Sequence, residues 1–300
     1  MNPFVGISGW RYPGWRGVFY PPGLPQRREL EFAGRRFSSI EINGTFYSLQ
    51  RASSFRQWRA ETPPGFRFAV KGGRFITHMK KLRGAETALA NFFASGLLEL
   101  NEKLGPVLWQ LAPRFRFDAP RLADFFALLP RDMAAAAALA RGHDGRVREP
   151  GFGDGAARPI RHAIEVRHES FRDPAFADLL RNAGVALAIS DAPGWPCFEE
   201  VTADFVYVRL HGAEQLYASA YSDAALDRWA ARVRAWAAGR EPPDAAKITA
   251  SATPAVPCDV YVYFDNDAKV HAPFDALGLL RRLEAGEGAS PPGREGAAPR

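Results

Sequence analysis

The sequence predicts a single-domain α/β protein built as a (β/α)8 barrel of the TIM type. Eight short segments rich in β-branched and aromatic residues recur along the 300-residue chain, and helix-like segments separate most of them. This alternation is typical of a parallel sheet with helical crossovers, and eight such units in about 250 residues match a TIM-type barrel. A doubly wound open sheet is the alternative, but its central strands are apolar on both faces, whereas several strands here carry charges at alternate positions.

The predicted strands come in a regular order along the chain. They cover residues 4–10, 37–47, 66–72, 105–113, 162–168, 185–191, 205–212 and 259–267. The helical segments between them carry recognisable signals. Leu122 opens a stretch with apolar residues at helical spacing, and Asp173-Pro174 followed by Gly184 provides a start and a stop. We therefore predict one barrel domain over residues 1–285, with 141–160 as a Gly-rich, charged surface loop and 286–300 as a disordered tail.

Composition narrows the class of protein without naming a function. The net charge of +6 mildly favours anionic partners. The two cysteines, Cys197 and Cys258, form neither a metal-ligand spacing nor a disulfide framework. No run is long and apolar enough to cross a bilayer, and the N-terminus lacks the pattern of a signal peptide. The sequence thus predicts a cytoplasmic protein with no membrane partner.

Charged and amide side chains occupy alternate positions near the C-terminal ends of the predicted strands. Glu41 and Asn43 share one strand face, Glu165 shares a face with Arg167, and Arg209 shares one with His211. Active sites of (β/α)8 enzymes lie at this end of the barrel. The full set expected there is Ser8, Trp10, Glu41, Asn43, Tyr47, Lys71, His78, Gln110, Glu165, Arg167, Asp191, Arg209, His211, Asp265, Asn266 and Asp267. His168 is expected to face the helices, in a capping role.

An anion site is the favoured interpretation of this set. Lys71, Arg167 and Arg209 can clamp a phosphate or carboxylate, because arginine offers a bidentate fork. Further substrate contacts are expected from Asn43, Tyr47, Asp191 and Asn266. Glu41 or Glu165 would act as general base and His211 as general acid. We therefore predict an enzyme that acts by acid–base chemistry on a small anionic substrate.

A metal site is the second interpretation. Carboxylates and a histidine at strand ends suit Mg²⁺, Mn²⁺ or Zn²⁺, and the candidate ligands are Glu41, Glu165, Asp191, His211 and Asp265. Three cations in the same mouth disfavour a metal there, so a divalent ion is an option and no cofactor is required. Two other functions remain open: metal-dependent phosphodiester cleavage of nucleic acid, and a binding module for an anionic ligand without turnover. Motifs for a dinucleotide, a P-loop nucleotide or a serine elbow are absent from the sequence.

Seven ordered motifs also carry a resemblance to a known family. They are GISGWRYPGWRGVFYP, EINGTFY, FAVKGGRFITH, GPVLWQLAP, EVRH, YVRLHG and YVYFDND. Together they resemble the YecE-like family of bacterial and archaeal proteins, also called domain of unknown function 72. The resemblance runs from about Gly6 to about Ala276 and departs from the pattern at 141–160 and in the tail. It implies a TIM-type barrel and implies no reaction, because the family has no established activity.

Overall fold

Eight parallel strands close into a barrel in chain order, with the first strand paired to the last, which confirms the predicted (β/α)8 class. The structure is a computed structural model that describes residues 3–212, 214–250 and 256–287. The strands are β1 Pro3–Ser8, β2 Ser39–Ile42, β3 Arg67–Lys71, β4 Leu104–Gln110, β5 His162–Glu165, β6 Val185–Asp191, β7 Phe205–Leu210 and β8 Asp259–Phe264.

Helices fill the connections between the strands. They are α1 Glu29–Gly34, α2 Gly44–Tyr47, α3 Ala52–Glu61, α4 Glu86–Ala94, α5 Ala119–Ala127, α6 Met133–Ala140, α7 Pro174–Ala183, α8 Asp223–Ala237 and α9 His271–Glu287. Helix α7 has the predicted signals: Asp173 accepts a bond from the Ala175 amide, and Gly184 ends the helix at φ 59°. No helix within the described ranges is long and apolar enough to span a bilayer.

Side chains alternate between two apolar layers along every strand. Large residues such as Val5, Phe68 and Trp109 face outward and pack with the helices in the main core. The inward positions form a second, smaller core that fills the barrel: Ala69, Leu108, Ala163, Ala186, Ala188, Phe205, Tyr207, Tyr261 and Tyr263. Apart from Ser39 and the tyrosine hydroxyls, this layering confines the buried inward polar groups to the last inward position of each strand.

Several strands end earlier than the sequence predicts. Strand β2 stops at Ile42, and the following Gly44–Tyr47 segment turns into the short helix α2. Strand β5 stops at Glu165, so Arg167 belongs to the following loop. Arg167 and His211 therefore lie just above the barrel.

The predicted surface loop and tail differ in how much the structure describes. Segment 141–160 holds no helix or strand, only isolated bridges at Gly151 and Pro159. The segment is nevertheless hydrogen-bonded to α4. The Asp144 amide donates to Oδ1 of Asn91 in α4 at 2.9 Å, and Asn91 Nδ2 donates to Asp144 Oδ1 at 3.1 Å. The last helix runs to Glu287, two residues into the predicted tail, and the rest of the tail lies outside the described residues.

Candidate functional site at the barrel mouth

One buried polar side chain stands at the last inward position of every strand. We call this set the mouth cluster: Ser8, Glu41, Lys71, Gln110, Glu165, Ser190, Arg209 and, directly after β8, Asp265. Each is at most 9 % exposed. Burial of so many ionisable groups is costly unless they are paired or held for a ligand. The contacts of each group therefore show which part of the mouth is bonded within the protein and which part is open to a ligand.

Arg209 is the centre of the paired part. Its Nη2 donates to Glu41 Oε1 at 2.8 Å and to Asp265 Oδ2 at 2.9 Å, and its Nη1 donates to Glu165 Oε2 at 2.7 Å. A further bond of 3.1 Å joins Nε to Glu41 Oε2. The side chain is fully buried. Four of its five N–H groups thus face three carboxylates, and Nη1 also lies 3.4 Å from His211 Nε2, so none is left for a substrate.

Glu41 is equally well satisfied within the protein. Besides Arg209, it accepts bonds from Tyr207 Oη at 2.6 Å and from Ser8 Oγ at 3.0 Å. The hydroxyl of Tyr12 closes this side by donating to the Ser8 carbonyl at 2.5 Å. Every oxygen of Glu41 is therefore held in place, which suits an orienting residue.

Glu165 and Asp265 remain ionised because cations surround them. Burial alone would raise the pKa of Glu165, but Arg167 and Arg209 outweigh it and hold that pKa well below its usual range. Burial opposes ionisation of Asp265 in the same way, and Arg209 and His211 lower its pKa by more. Carboxylates with such low pKa values are weak bases.

His211 lies under two aromatic loop residues. Its Nδ1 is 3.1 Å from Asp265 Oδ2, within ion-pair range, yet the ring is not aligned for a hydrogen bond. Its ring meets Trp195 and Tyr217 edge-on at 5.2 and 5.5 Å. His211 shares the mouth with Arg209, as the strand pattern predicts.

Lys71 and Gln110 form a contrasting part that we call the open half. They stand on the adjacent strands β3 and β4, and neither side chain has a hydrogen bond or ion pair with any described residue. Their polar atoms are not among the fully enclosed ones without a partner, so they face the opening. Ser190 on β6 also lacks a partner, but its hydroxyl is fully enclosed.

The Lys71 ammonium has an unusual environment for a lysine. Its Nζ lies over the face of the Phe46 ring, 4.6 Å from the centroid. Burial and, next, the charge of Arg209 lower its pKa from 10.5 to about 8, and the attraction of Glu41 and the other carboxylates offsets only part of this. Lys71 therefore exchanges a proton close to neutral pH.

Arg167 lies between the paired part and the open half. Its Nη2 contacts Glu165 Oε1 at 2.6 Å, while its guanidinium stacks 3.7 Å from the ring centre of Trp195. His78 lies in the helical turn after β3, and its pKa is lowered first by burial and then by the charges of Arg167 and Lys71. Its ring also meets Phe46 at 5.2 Å. The loops thus place cationic and aromatic groups around the opening.

Two predicted substrate contacts do not reach the mouth, and their predicted placement was wrong. Asp191 faces the helices, where its Oδ2 accepts a 3.3 Å bond from Trp229 Nε1. Asn266 also points away from the barrel axis and donates to Asp275 Oδ2 at 2.7 Å. Asp191 occupies an outward position of β6, and Asn266 lies two residues beyond the end of β8.

Asn43 and Tyr47 line separate cavities beside the mouth cluster. Asn43 borders a cavity of about 310 Å³ with Trp10 and Tyr12, and its enclosed Oδ1 has no partner among the described residues. Tyr47 is 71 % exposed and borders an apolar groove of about 440 Å³. Neither of these two cavities is lined by Lys71 or Arg209.

Other residues of the mouth were missed from the sequence or were given no role. Ser190 is the true polar end of β6, and the alternating alanines before it mark the inward face. Trp195 lies in the loop after β6 and Phe46 in the short helix α2, and neither was singled out from the sequence. His168 accepts a bond from the Ser170 amide at 3.0 Å, which confirms its predicted capping role.

The five predicted metal ligands do not assemble into a centre. Within the described ranges, no group of three or more His, Cys, Asp and Glu residues is placed to hold an ion. The carboxylates of Glu41, Glu165 and Asp265 turn oxygens toward Arg209. A cation in the mouth would therefore have to displace a guanidinium that already holds all three.

Comparisons with known proteins agree with this architecture. A DUF72 family protein from Thermotoga maritima MSB8 superposes with a TM-score of 0.71 at 24% identity, covering 95% of this chain and all of that one. One from Enterococcus faecalis V583 gives 0.67 at 17% identity, covering 94% and 96%. These two show the fold alone. The UPF0759 protein YunF of Bacillus subtilis (strain 168) is 27% identical over 117 residues, and the match spans 37% of this chain and 40% of YunF.

The family assignment depends on a longer match. The family model described as "Protein of unknown function DUF72" matches residues 4–297, nearly the whole chain. The resemblance noted in the seven motifs is thereby confirmed, and this chain belongs to the DUF72 family.

Proposed function

We propose that this protein is an enzyme that binds a small anionic substrate in the open half of the barrel mouth and acts on it by acid–base chemistry. One observation carries the proposal: the polar groups of the mouth are satisfied unevenly. Arg209 and Glu41 are fully bonded, whereas Lys71 and Gln110 are buried, face the opening and have no partner among the described residues. Nearly all buried polar groups in proteins have a hydrogen-bond partner, so these two require a partner from outside the chain, and a bound ligand is the one that we propose.

The charges of the mouth balance overall, and it is their arrangement that favours an anion beside Lys71. Three carboxylates, those of Glu41, Glu165 and Asp265, are balanced by two guanidiniums and Lys71. Arg209 is committed to carboxylates, and Arg167 contacts Glu165 through Nε and Nη2 and keeps only Nη1 for a ligand. Among the described residues of the mouth cluster, Lys71 is the cation without a carboxylate contact. The predicted clamp is accordingly revised: Lys71 and Arg167 would face the substrate, with Gln110 as a neutral donor, while Arg209 holds the scaffold.

Acid–base chemistry is best supported at Lys71. A pKa of about 8 leaves both its protonated and its neutral form populated near neutral pH, which is the condition for an efficient proton carrier. The low pKa of Glu165 makes it a weaker base than the sequence suggests. We therefore assign proton transfer to Lys71 and an electrostatic, positioning role to Glu165.

Calorimetric titration with phosphate and sulfate tests the anion site. Wild-type protein should bind phosphate, and affinity should fall as pH rises through about 8, because Lys71 loses its charge there. Lys71→Met should weaken phosphate binding at least about tenfold and abolish this pH dependence. The effect should be large because an ion pair between a buried ammonium and an anion contributes more to binding than an exposed one. Lys269→Met removes the same charge from an exposed loop position and should leave affinity unchanged.

The contrary results are equally defined. Equal phosphate affinity in wild type and Lys71→Met would refute the anion site. Strong stabilisation by Mg²⁺ or Mn²⁺ with none by phosphate would favour the metal-dependent alternative on nucleic acid. Phosphate binding without turnover of any small phosphate ester or oxo acid would favour a binding module.

A further inference from the structure

We propose that Lys71 is a nucleophile that forms an imine with the carbonyl carbon of its substrate, so that the substrate class is a small oxo acid or another carbonyl compound bearing an anionic group. This inference rests on the proposed function, because it takes the anion site as the place where the substrate is held. It goes further by assigning covalent chemistry to one amine.

The backbone presents Lys71 in a fixed position. The Lys71 carbonyl accepts a 2.6 Å bond from Thr45 Oγ1. The next residue must be glycine, because a Cβ on Gly72 would lie 2.3 Å from the Trp109 ring. The chain thus packs tightly against the β4 aromatic just above Lys71. A nucleophile held on a strand end by such packing is well oriented for attack.

The nitrogen itself is free to react. It lies over the face of the Phe46 ring, which offers no oxygen, and it has no hydrogen bond or ion pair with any described residue. An amine that loses its proton in such a site keeps an uncommitted lone pair. A partner carboxylate would have stabilised the ammonium form, and no described carboxylate forms an ion pair with Lys71.

A second buried lysine provides the internal comparison. Lys103 is 6 % exposed, similar to the 8 % of Lys71. Its Nζ donates to the Arg59 carbonyl at 2.7 Å, to the Thr62 carbonyl at 2.5 Å and to Thr62 Oγ1 at 3.1 Å. All three N–H groups are used, as in a structural ammonium. A buried lysine in this protein can therefore be fully hydrogen-bonded, so burial alone does not explain why the Lys71 ammonium has no hydrogen bond with the described residues.

The choice of lysine at this position is also informative. Only six of the 39 basic residues of the chain are lysines. Arginine holds its proton at any physiological pH and cannot form an imine. At pH 7, a pKa of about 8 leaves roughly one amine in ten neutral, against roughly one in three thousand for an ordinary lysine. The site thus favours a neutral amine by about 300-fold.

The chemistry balances without an added reagent. The neutral Nζ attacks the carbonyl carbon, a C–N bond forms, and the π electron pair moves to oxygen, which takes up a proton. Nitrogen then loses a proton, the hydroxyl leaves with another as water, and a C=N bond remains. The protonated imine draws electrons from the adjacent carbon and eases loss of a proton or a C–C bond there. Arg167 would hold the anionic group and Gln110 the carbonyl oxygen.

Reductive trapping tests this assignment directly. Glyoxylate and cyanoborohydride are added to the full-length protein, and the modified lysines are mapped by peptide mass spectrometry. Lys71 should be labelled at least about tenfold faster than the exposed Lys269, and the enclosed Lys103 should react least. The rate at Lys71 should rise with pH around a midpoint near 8. Phosphate should slow labelling of Lys71 and leave Lys269 unaffected.

A variant separates the two proposals. Lys71→Arg keeps a cation for the anion but cannot form an imine, so it should still bind phosphate and lose the trapped product. Labelling of Lys71 no faster than of Lys269, in protein that still binds phosphate, would overturn the imine proposal and leave the anion site standing. If the wild-type protein does not bind phosphate, the anion-site proposal itself is refuted.

Discussion

Replacing Lys71 with methionine should make the protein more stable at neutral pH, although it removes a residue from the heart of the site. The fold lowers the pKa of Lys71 from 10.5 to about 8, and burial is the main cause. The folded state therefore disfavours the ammonium. Methionine has a similar length and no charge to desolvate.

The magnitude follows from the difference in pKa. The difference between a pKa of 10.5 in the unfolded chain and about 8 in the folded one corresponds to about 3 kcal/mol. Below pH 8 the charged lysine lowers the free energy of unfolding by this amount. The contact with the Phe46 ring, worth about 0.5–2 kcal/mol, is lost in the variant. We expect a net gain of about 1–2 kcal/mol in the free energy of unfolding, or a few degrees in melting temperature.

The sign of the pH dependence is also determined. Below pH 8 lysine is charged in both the folded and the unfolded state, so the cost is fully present. Between about pH 8 and 10.5 the unfolded chain binds more protons at this residue than the folded one, so the wild type gains stability as pH rises. The advantage of Lys71→Met should therefore be largest below pH 8 and shrink steadily above it.

Urea unfolding of both proteins at several pH values measures this. Lys103→Met is the matched control, because its ammonium satisfies three oxygens, and its loss should destabilise the protein by about 1–3 kcal/mol. If Lys71→Met proves less stable than the wild type at pH 7, the desolvation argument is wrong. The argument is also wrong if the gain in stability of Lys71→Met over the wild type does not decline above pH 8.

Three further outcomes follow from the geometry of the mouth. Arg209→Met should cost at least about 3–5 kcal/mol, as seen by urea unfolding, because it leaves three buried carboxylates without their shared partner. Because the fold lowers the pKa values of Glu165 and Asp265, both carboxylates stabilise the folded state at pH values above about 4, which is their pKa in the unfolded chain. The melting temperature should therefore fall as the pH drops below about 4. Asp191→Asn should leave phosphate affinity unchanged in calorimetry, because its carboxylate bonds Trp229 behind the barrel wall.

The alternation of side chains along the strands was the most reliable signal in the sequence. It placed Glu41, Lys71, Glu165 and Arg209 on the inner face, and the structure brings all four into one cluster. The reason is physical: charged residues opposite apolar ones on a strand have only the barrel mouth in which to find partners. The polarity of one end of the barrel could thus be predicted residue by residue.

The same reasoning failed where the strand register was misjudged by one residue. In β6 the inward positions are Ala186, Ala188 and Ser190, so Asp191 points outward. A one-residue slip moves a side chain to the opposite face. The small alanines mark the crowded barrel interior and could have corrected the register. Asn266 was misplaced for a different reason: three successive residues, 265–267, were all assigned to the mouth, whereas Tyr263 and Asp265 define the inner face there.

The pairing of Arg209 with three carboxylates at once could not be foreseen from local patterns, and it changes the meaning of the site. Arg209 looked like a ligand-binding cation because a guanidinium on an inner face needs a partner. The closed barrel supplies that partner from β2, β5 and β8 together, which no local pattern reveals. Once those strands satisfy one another, the demand for a ligand shifts to β3 and β4, where Lys71 and Gln110 remain without a partner among the described residues. The paired part fixes the shape of the mouth, and the open half is where a substrate would complete the hydrogen bonding.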